Sequence, residues 1–326
     1  MGAEDGEGAQ ARGEDRQTPL RLPRRKGRLP PWFRVSLPSG HEYRALARSL
    51  RGLKLSTVCE EARCPNLGEC WGSGTATLMV LGDVCTRGCR FCAVRTAGAG
   101  REVDPNEPTN ASIAVEKMAR ESNISYVVIT SVDRDDLPDL GAGHYARCIT
   151  AIKERAPKVR VEVLTPDFQG RPEAIGAIAN ARPHVFGHNI ETTRRLHRRV
   201  RDARAGYEQS LLVLRMAREE GMELTKSGLM VGHGESREEL LEAMGDLRAA
   251  GVALLTIGQY LQPTVKHLPA ERIWTPEELD DLRVEGESMG FLHVAAGPLV
   301  RSSYKASEAF AGALIASREA AETEDP

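Results

Sequence analysis

From residue 76 onward the chain alternates between two hydrophobic rhythms. Short apolar runs at 78–81, 126–130, 161–164, 184–188, 224–231 and 254–260 read as strands, and a weaker seventh lies at 291–295. Between them, stretches with apolar residues every three or four positions read as helices: 111–120, 145–155, 208–220, 237–249 and 276–289. Thr275-Pro276-Glu277-Glu278 has the residues of a helix start, with Thr as the cap, Pro in the first turn and Glu three positions on. Gly221 and Gly251 close the helices before them. Sustained strand–helix alternation predicts a parallel sheet with helices outside it. Six or seven units, rather than eight, predict an α/β fold of the partial (β/α)6-type TIM-barrel kind.

Before this body, residues 1–30 are rich in Gly, Arg and acids with few large apolar residues, and read as a disordered tail. Residues 31–75 form an N-terminal extension that opens on Trp32-Phe33. It has a short helix expected at 41–54, with Leu46, Leu50 and Leu53 on one side. The body then occupies 76–299, and a C-terminal extension, 300–326, carries Arg301-Ser302-Ser303-Tyr304 and an expected helix at 306–320. The chain is 41% apolar and 28% charged with a formal net charge of -2, which asks for neither nucleic acid nor an anionic membrane as partner. No apolar run reaches the ~20 residues of a bilayer span. The acids in MGAEDGEGAQARGED argue against a secretory or mitochondrial leader, so the expectation is a cytoplasmic protein.

The seven cysteines change the picture, because six of them fall between residues 59 and 92. Cys85, Cys89 and Cys92, in CTRGCRFC, are spaced C-x3-C-x2-C directly after a strand, with the aromatic Phe91 before the last. Three thiolates with no fourth partner suit a [4Fe–4S] cube that keeps one iron open, whereas structural zinc asks for four protein ligands. Cys59, Cys64 and Cys70 make a second triplet in TVCEEARCPNLGECW, on a loop marked by Pro65, Asn66 and Gly68. Two triplets in an otherwise Cys-poor chain favour two clusters over shared zinc. Cys148 stands apart in a helical pattern and reads as a core thiol. The C-x3-C-x2-C spacing with Phe91 resembles that of the radical S-adenosylmethionine (SAM) superfamily, and the resemblance implies that the open iron takes the amino and carboxylate groups of SAM, one electron then yielding a carbon radical that attacks unactivated C–H bonds.

Ligands of parallel α/β sheets sit at the carboxyl ends of the strands. The loops there offer Thr130 and Ser131 after the second strand, and Asn189 and Glu191 after the fourth, suited to ribose hydroxyls. Lys226, Gly228, Gly232 and Glu235 lie in or after the fifth. The glycines let backbone approach a nucleoside, and Glu235 can orient the loop. Taken singly, each of these residues could equally be a cap or surface position.

The segments TVCEEARCPNLGECW, CTRGCRFCAV, TSVDRDDL, HNIETT, KSGLMVG, LTIGQYLQP and RSSYKA, in this order, resemble lipoyl synthases of the radical SAM superfamily over about residues 30 to 306. The resemblance implies a partial barrel, two [4Fe–4S] clusters and SAM, and insertion of two sulfurs at C6 and C8 of an octanoyl chain carried on a protein lysine. It implies that Cys85, Cys89 and Cys92 hold the SAM-binding cluster. Cys59, Cys64 and Cys70 then hold an auxiliary cluster, consumed as sulfur donor, whose fourth ligand is Ser303, with Ser302 the lesser alternative. Implied partners are octanoylated lipoyl domains or the glycine-cleavage H protein, an electron donor such as flavodoxin or ferredoxin, and an iron–sulfur carrier; the enzyme is expected to be a monomer. Exposed arginines at 194, 195, 198 and 199 are candidates for steering an acidic carrier. Two positions depart from the family pattern: Gly187 stands where Asn is expected and His233 where an apolar residue is expected. The competing readings are another radical SAM sulfur enzyme, such as a biotin synthase, and a non-enzymatic metal-binding module.

Overall fold

The computed structural model describes residues 29–34, 56–57, 66, 70, 74–122 and 124–314. Residues 1–28 of the expected tail, the helix at 41–54, Cys59 and Cys64 lie outside them.

A two-residue strand, β1 (Ser56–Thr57), pairs antiparallel with β2 (Thr75–Val80). Two further short strands, β3 (Val84–Cys85) and β4 (Arg95–Thr96), pair with each other in a separate parallel ladder. The alternating body then runs α1 (Glu107–Glu121), β5 (Tyr126–Ser131), α2 (Ala142–Arg155), β6 (Arg160–Leu164), α3 (Pro172–Asn180) and β7 (Val185–Gly187). It continues with α4 (His197–Val200), α5 (Tyr207–Glu219), β8 (Thr225–Val231), α6 (Arg237–Ala249), β9 (Leu254–Gln259), α7 (Pro276–Ser288) and β10 (His293–Gly297).

The sheet order is β1-β2-β5-β6-β7-β8-β9-β10, so seven parallel strands follow one another in chain order. All seven apolar runs of the sequence are among them. Partners run from Met79 to Thr130, to Leu164, to Gly187 and to Lys226, passing from the end of β2 to the start of β8. That stagger is the signature of strands tilted around a barrel axis. No pairing joins β10 to β1 or β2 among the described residues, so the barrel is partial.

Sequence chemistry accounts for the local structure. β2 and β9 are buried along their whole length, as parallel strands covered on both faces must be. Ser236 and Thr275 each form a complete capping box with the Glu three residues on, at the starts of α6 and α7. The main core packs α1, α2 and α3 on β2, β5 and β6, through Val115, Met118, Ile149, Ile152 and Ile175.

After β10 the chain returns into the open barrel. The backbone oxygen of Val300 lies 2.1 Å from where a Cβ of Gly258 would stand, so this crossing of β9 needs a glycine. Helical residues 306–314 then fill the amino-terminal end of the barrel. Phe310 stands 5.8 Å from the Tyr126 ring and edge-on to His184 at 6.2 Å, and Ala313 packs with Val185, Leu224 and Leu254.

Candidate active site

The cysteine loop is fastened at many points. Cys85 ends β3 opposite Thr96, and its carbonyl accepts the Ala97 amide at 3.1 Å, closing the loop's neck. The Arg90 amide donates to Val200 at 2.9 Å, the Leu268 amide to Arg90 at 3.1 Å, and His267 Nε2 to the Cys92 carbonyl at 2.9 Å. The Gly88 amide donates to Asp202 at 2.8 Å, and the Asp202 amide approaches Cys89 Sγ at 3.4 Å.

The strongest fastening is Arg87, inside the motif itself. Its side chain is 1% exposed and reaches Asp135 at 2.8 Å, Asp167 at 2.8 Å and Asp133 at 3.2 Å. One guanidinium thus ties the cysteine loop to the loops after β5 and β6. Burial works against the Asp135 charge, but hydrogen bonds from Arg87 and Gln169 prevail and hold its carboxyl at about 2. Asp133, beside Cys85 Sγ at 3.6 Å, is pushed to about 6, chiefly by burial.

Burial raises all three thiols. Cys85 is pushed to about 12, with Asp133 adding to the effect, Cys92 to about 11, and Cys89 also upward. None is a thiolate at neutral pH on its own, so a metal centre must displace their protons on binding.

The other predicted residues fall into two groups. Thr130, Ser131, Asn189, Glu191, Gly228, Gly232 and Glu235 lie at the carboxyl side of β5, β7 and β8. Thr130 donates to the Leu164 carbonyl at 2.9 Å. Ser131 Oγ is buried with no protein partner, as is Nε of Arg201, whose Nη1 holds the Asn189 carbonyl at 3.3 Å. Orphaned donors of this kind fit a polar ligand such as SAM. Asn189 Oδ1 lies 2.8 Å from where a Cβ on Gly228 would stand, so the glycine seats the asparagine. Glu191 has φ +71, and burial raises its carboxyl. Glu235 accepts the amides of Gly232 (2.5 Å) and His233 (2.8 Å) and the Trp274 indole (3.0 Å), so it shapes the loop after β8.

Lys226 stands apart from these. Its ammonium is buried against Glu162 at 2.8 Å, and Tyr126 donates to the same carboxylate at 2.8 Å. This inner layer faces the helical plug. Of the candidate steering arginines, Arg194 pairs with Glu208 and Asp246, Arg195 with Glu239 and Arg199 with Glu271, while Arg198 is exposed and makes no ion pair among the described residues.

The second thiol triplet is represented by Cys70, which is buried. In its loop, Asn66 Nδ2 donates to the Leu299 carbonyl, bringing that loop against the chain entering Arg301-Ser302-Ser303. Ser302 Oγ accepts from Asn189 Nδ2 at 2.6 Å, and Ser303 makes no side-chain hydrogen bond among the described residues. Sequence reasoning missed Arg87, Asp167, Arg201 and Glu162 as contributors. Only Arg87 carried a signal, its place inside the cysteine motif.

Residues 79–247 match the family model of the radical SAM superfamily, and residues 4–64 match the N-terminal domain of lipoyl synthase of that family. The chain belongs to the lipoyl synthase family. It is 54% identical over 292 residues to a lipoyl synthase of Anaeromyxobacter sp., covering 89% of this chain and 98% of that one. It is 55% identical over 282 residues to a lipoyl synthase of Thermus thermophilus, covering 86% of each. In fold it is similar to the FeFe-hydrogenase maturase HydG from Carboxydothermus hydrogenoformans, with a TM-score of 0.51 at 12% identity over 83% of this chain and 81% of that one.

As a lipoyl synthase the chain is a radical SAM enzyme with [4Fe–4S] and SAM as cofactors and a lipoyl domain as substrate. Its reaction is radical-mediated insertion of two sulfurs, at C6 and C8 of a protein-bound octanoyl-lysine. No described helix is long and apolar enough to cross a membrane.

Proposed function

We propose that Cys85, Cys89 and Cys92 hold the cluster that binds SAM, while Cys59, Cys64, Cys70 and Ser303 hold a second [4Fe–4S] cluster that supplies the sulfur. When bound, the first cluster and SAM supply an electron and a carbon radical. The chain's own residues do the rest. Arg87 and its three aspartates fix the cysteine loop, Ser131 and Arg201 offer free hydrogen-bonding atoms to SAM, and Asn189 and Glu191 take its ribose. Gly232, held by Glu235, does not open space for a nucleoside as expected: its missing Cβ lets the Gln259 side chain and the Arg272 carbonyl pack against the loop after β8.

The observation that carries the two-cluster reading is the course of the C-terminal segment. It touches the Cys70 loop through Asn66 and Leu299, and the loop after β7 through Ser302 and Asn189. A ligand on this segment would stand between the Cys70 loop and the loop after β7, which is where we put the sulfur donor. Beside the cysteine loop, Leu196, Val200, Tyr260 and Leu268 with Phe91 and Met230 form an apolar cluster at the mouth. An octanoyl chain buried against such a surface gains at most about 5 kcal/mol.

The carrier is an octanoylated lipoyl domain or the glycine-cleavage H protein. The electron comes from a flavodoxin or ferredoxin, and an iron–sulfur carrier renews the second cluster. Six cysteines clustered between residues 59 and 92 suit a reducing compartment, which we take to be the cytoplasm.

The test is a Cys59→Ala/Cys64→Ala/Cys70→Ala variant, reconstituted without oxygen. It should hold half the iron and sulfide of the parent, still cleave SAM to 5′-deoxyadenosine, and insert no sulfur. Full iron content in this variant would refute the second cluster.

A further inference from the structure

Two adjacent serines sit in the segment between the Cys70 loop and the loop after β7, and the structure treats them differently. Ser302 Oγ is engaged at 2.6 Å by Asn189 Nδ2, which also donates to Glu191 Oε1 at 3.1 Å. Asn189 is itself fixed: its carbonyl accepts from Arg201 at 3.3 Å, and its amide oxygen fills the place of the missing Gly228 Cβ. Glu191, the other partner, has its backbone in the left-handed region and its carbonyl bonded by the Met230 amide at 2.9 Å. Ser302 therefore binds to a rigid point on the loop after β7. Three residues earlier, the Leu299 carbonyl is bound by Asn66 of the Cys70 loop. Two ties bracket the stretch, one to each side.

We infer that Ser302 is a positioning residue, not a cluster ligand: its bond to Asn189 sets the distance between the sulfur-donating side and the SAM-binding side. The inference rests on the proposed role of Ser303. A hydroxyl already accepting a short hydrogen bond from a fixed amide is poorly placed to ligate iron, and its neighbour makes no such bond among the described residues. Removing the tie leaves each side intact but lets the segment drift. Displacements of about 1 Å between reacting groups cost up to about a hundredfold in rate. The loss falls on the step that needs both sides, sulfur capture by the substrate radical, and not on SAM cleavage, which needs one.

The experiment compares Ser302→Ala, Ser302→Thr and Ser303→Ala in reconstituted full-length protein. Iron and sulfide content, the electron paramagnetic resonance of the reduced clusters, and the ratio of sulfur inserted to 5′-deoxyadenosine released are measured for each. Ser302→Ala should keep full iron, parental spectra and SAM cleavage while its coupling ratio falls about tenfold. Ser302→Thr, which keeps the hydroxyl, should couple like the parent, and Ser303→Ala should alter the cluster spectrum. An unchanged ratio in Ser302→Ala overturns the inference. So does loss of cluster iron or a changed spectrum in that variant, which would make Ser302 the ligand or a general fold support. If Ser303→Ala alone leaves the spectrum unchanged, the fourth-ligand reading fails while the Ser302 result still stands on its ratio.

Discussion

Arg87 is buried and answers three carboxylates. Removing one side of so buried an ion network costs more than its net worth, because the remaining charges are left without a partner. Arg87→Met should therefore destabilise the protein by about 3–5 kcal/mol and loosen the cysteine loop. Denaturant unfolding with parallel iron analysis checks both; a variant that melts and holds iron like the parent contradicts the role. The histidines give a second residue-level prediction. His197 is buried edge-on to Tyr207 with Nε2 unpartnered, and burial depresses it to about 4. A folded-state value below that of the unfolded chain contributes stability that is present above about 6.5 and is lost as pH falls toward 4. His197→Phe has no such proton to take up. Relative to that variant, the parent should lose about 2 kcal/mol between pH 7 and pH 5. Equal pH slopes would count against it. Little of this was legible beforehand: Arg87 and Asp167 are 80 positions apart in the chain, and only the folded barrel brings the β6 loop to the cysteine motif.

At the scale of elements, the strands were the most legible part, because a parallel strand covered on both faces is written as an unbroken apolar run. The capping box at Thr275 was equally plain, since its residues are local. The sequence reading named no helix between β6 and β7, where α3 stands. In α3, Pro172–Asn180, apolar residues crowd nearly every position after the first turn, so no three-four spacing shows. Lys226 looked like a mouth residue because it belongs to a strand whose later glycines are at the mouth. Barrel tilt sets it instead at the level of the inner Glu162. The departure at Gly187 also has a structural reading. A Cβ there would stand 2.7 Å from the Val163 carbonyl oxygen, a backbone atom of the neighbouring strand. Gly187→Asn, which puts in the residue expected from the resemblance, should push β6 and β7 apart and cost about 1–3 kcal/mol. Thermal melting reads this directly, and an unshifted midpoint would show that the strands yield without cost. At the other departure, His233 is buried against the Tyr260 ring at 4.2 Å with both ring nitrogens unpartnered, taking an apolar place.

At the scale of the molecule, the partial barrel presents one end to chemistry and seals the other with its own C-terminus. The same segment passes the Cys70 loop and the loop after β7 on its way to the plug, so residues 299–302 bridge Asn66 on one side and Asn189 on the other. That arrangement was only partly legible. The motifs announced the family, but a serine's neighbour across the barrel is a tertiary fact that no spacing encodes. We propose that this enzyme places sulfur from its own second cluster into a carried octanoyl chain. The measurement closest to it is the mass of an octanoylated lipoyl-domain peptide after one anaerobic turnover, using protein reconstituted with isotopically heavy sulfide in a medium of ordinary sulfide. The account predicts product carrying two heavy sulfurs together with release of 5′-deoxyadenosine. Product bearing ordinary sulfur would contradict the donor role of the second cluster, and unchanged peptide beside undiminished SAM cleavage would contradict the reaction itself.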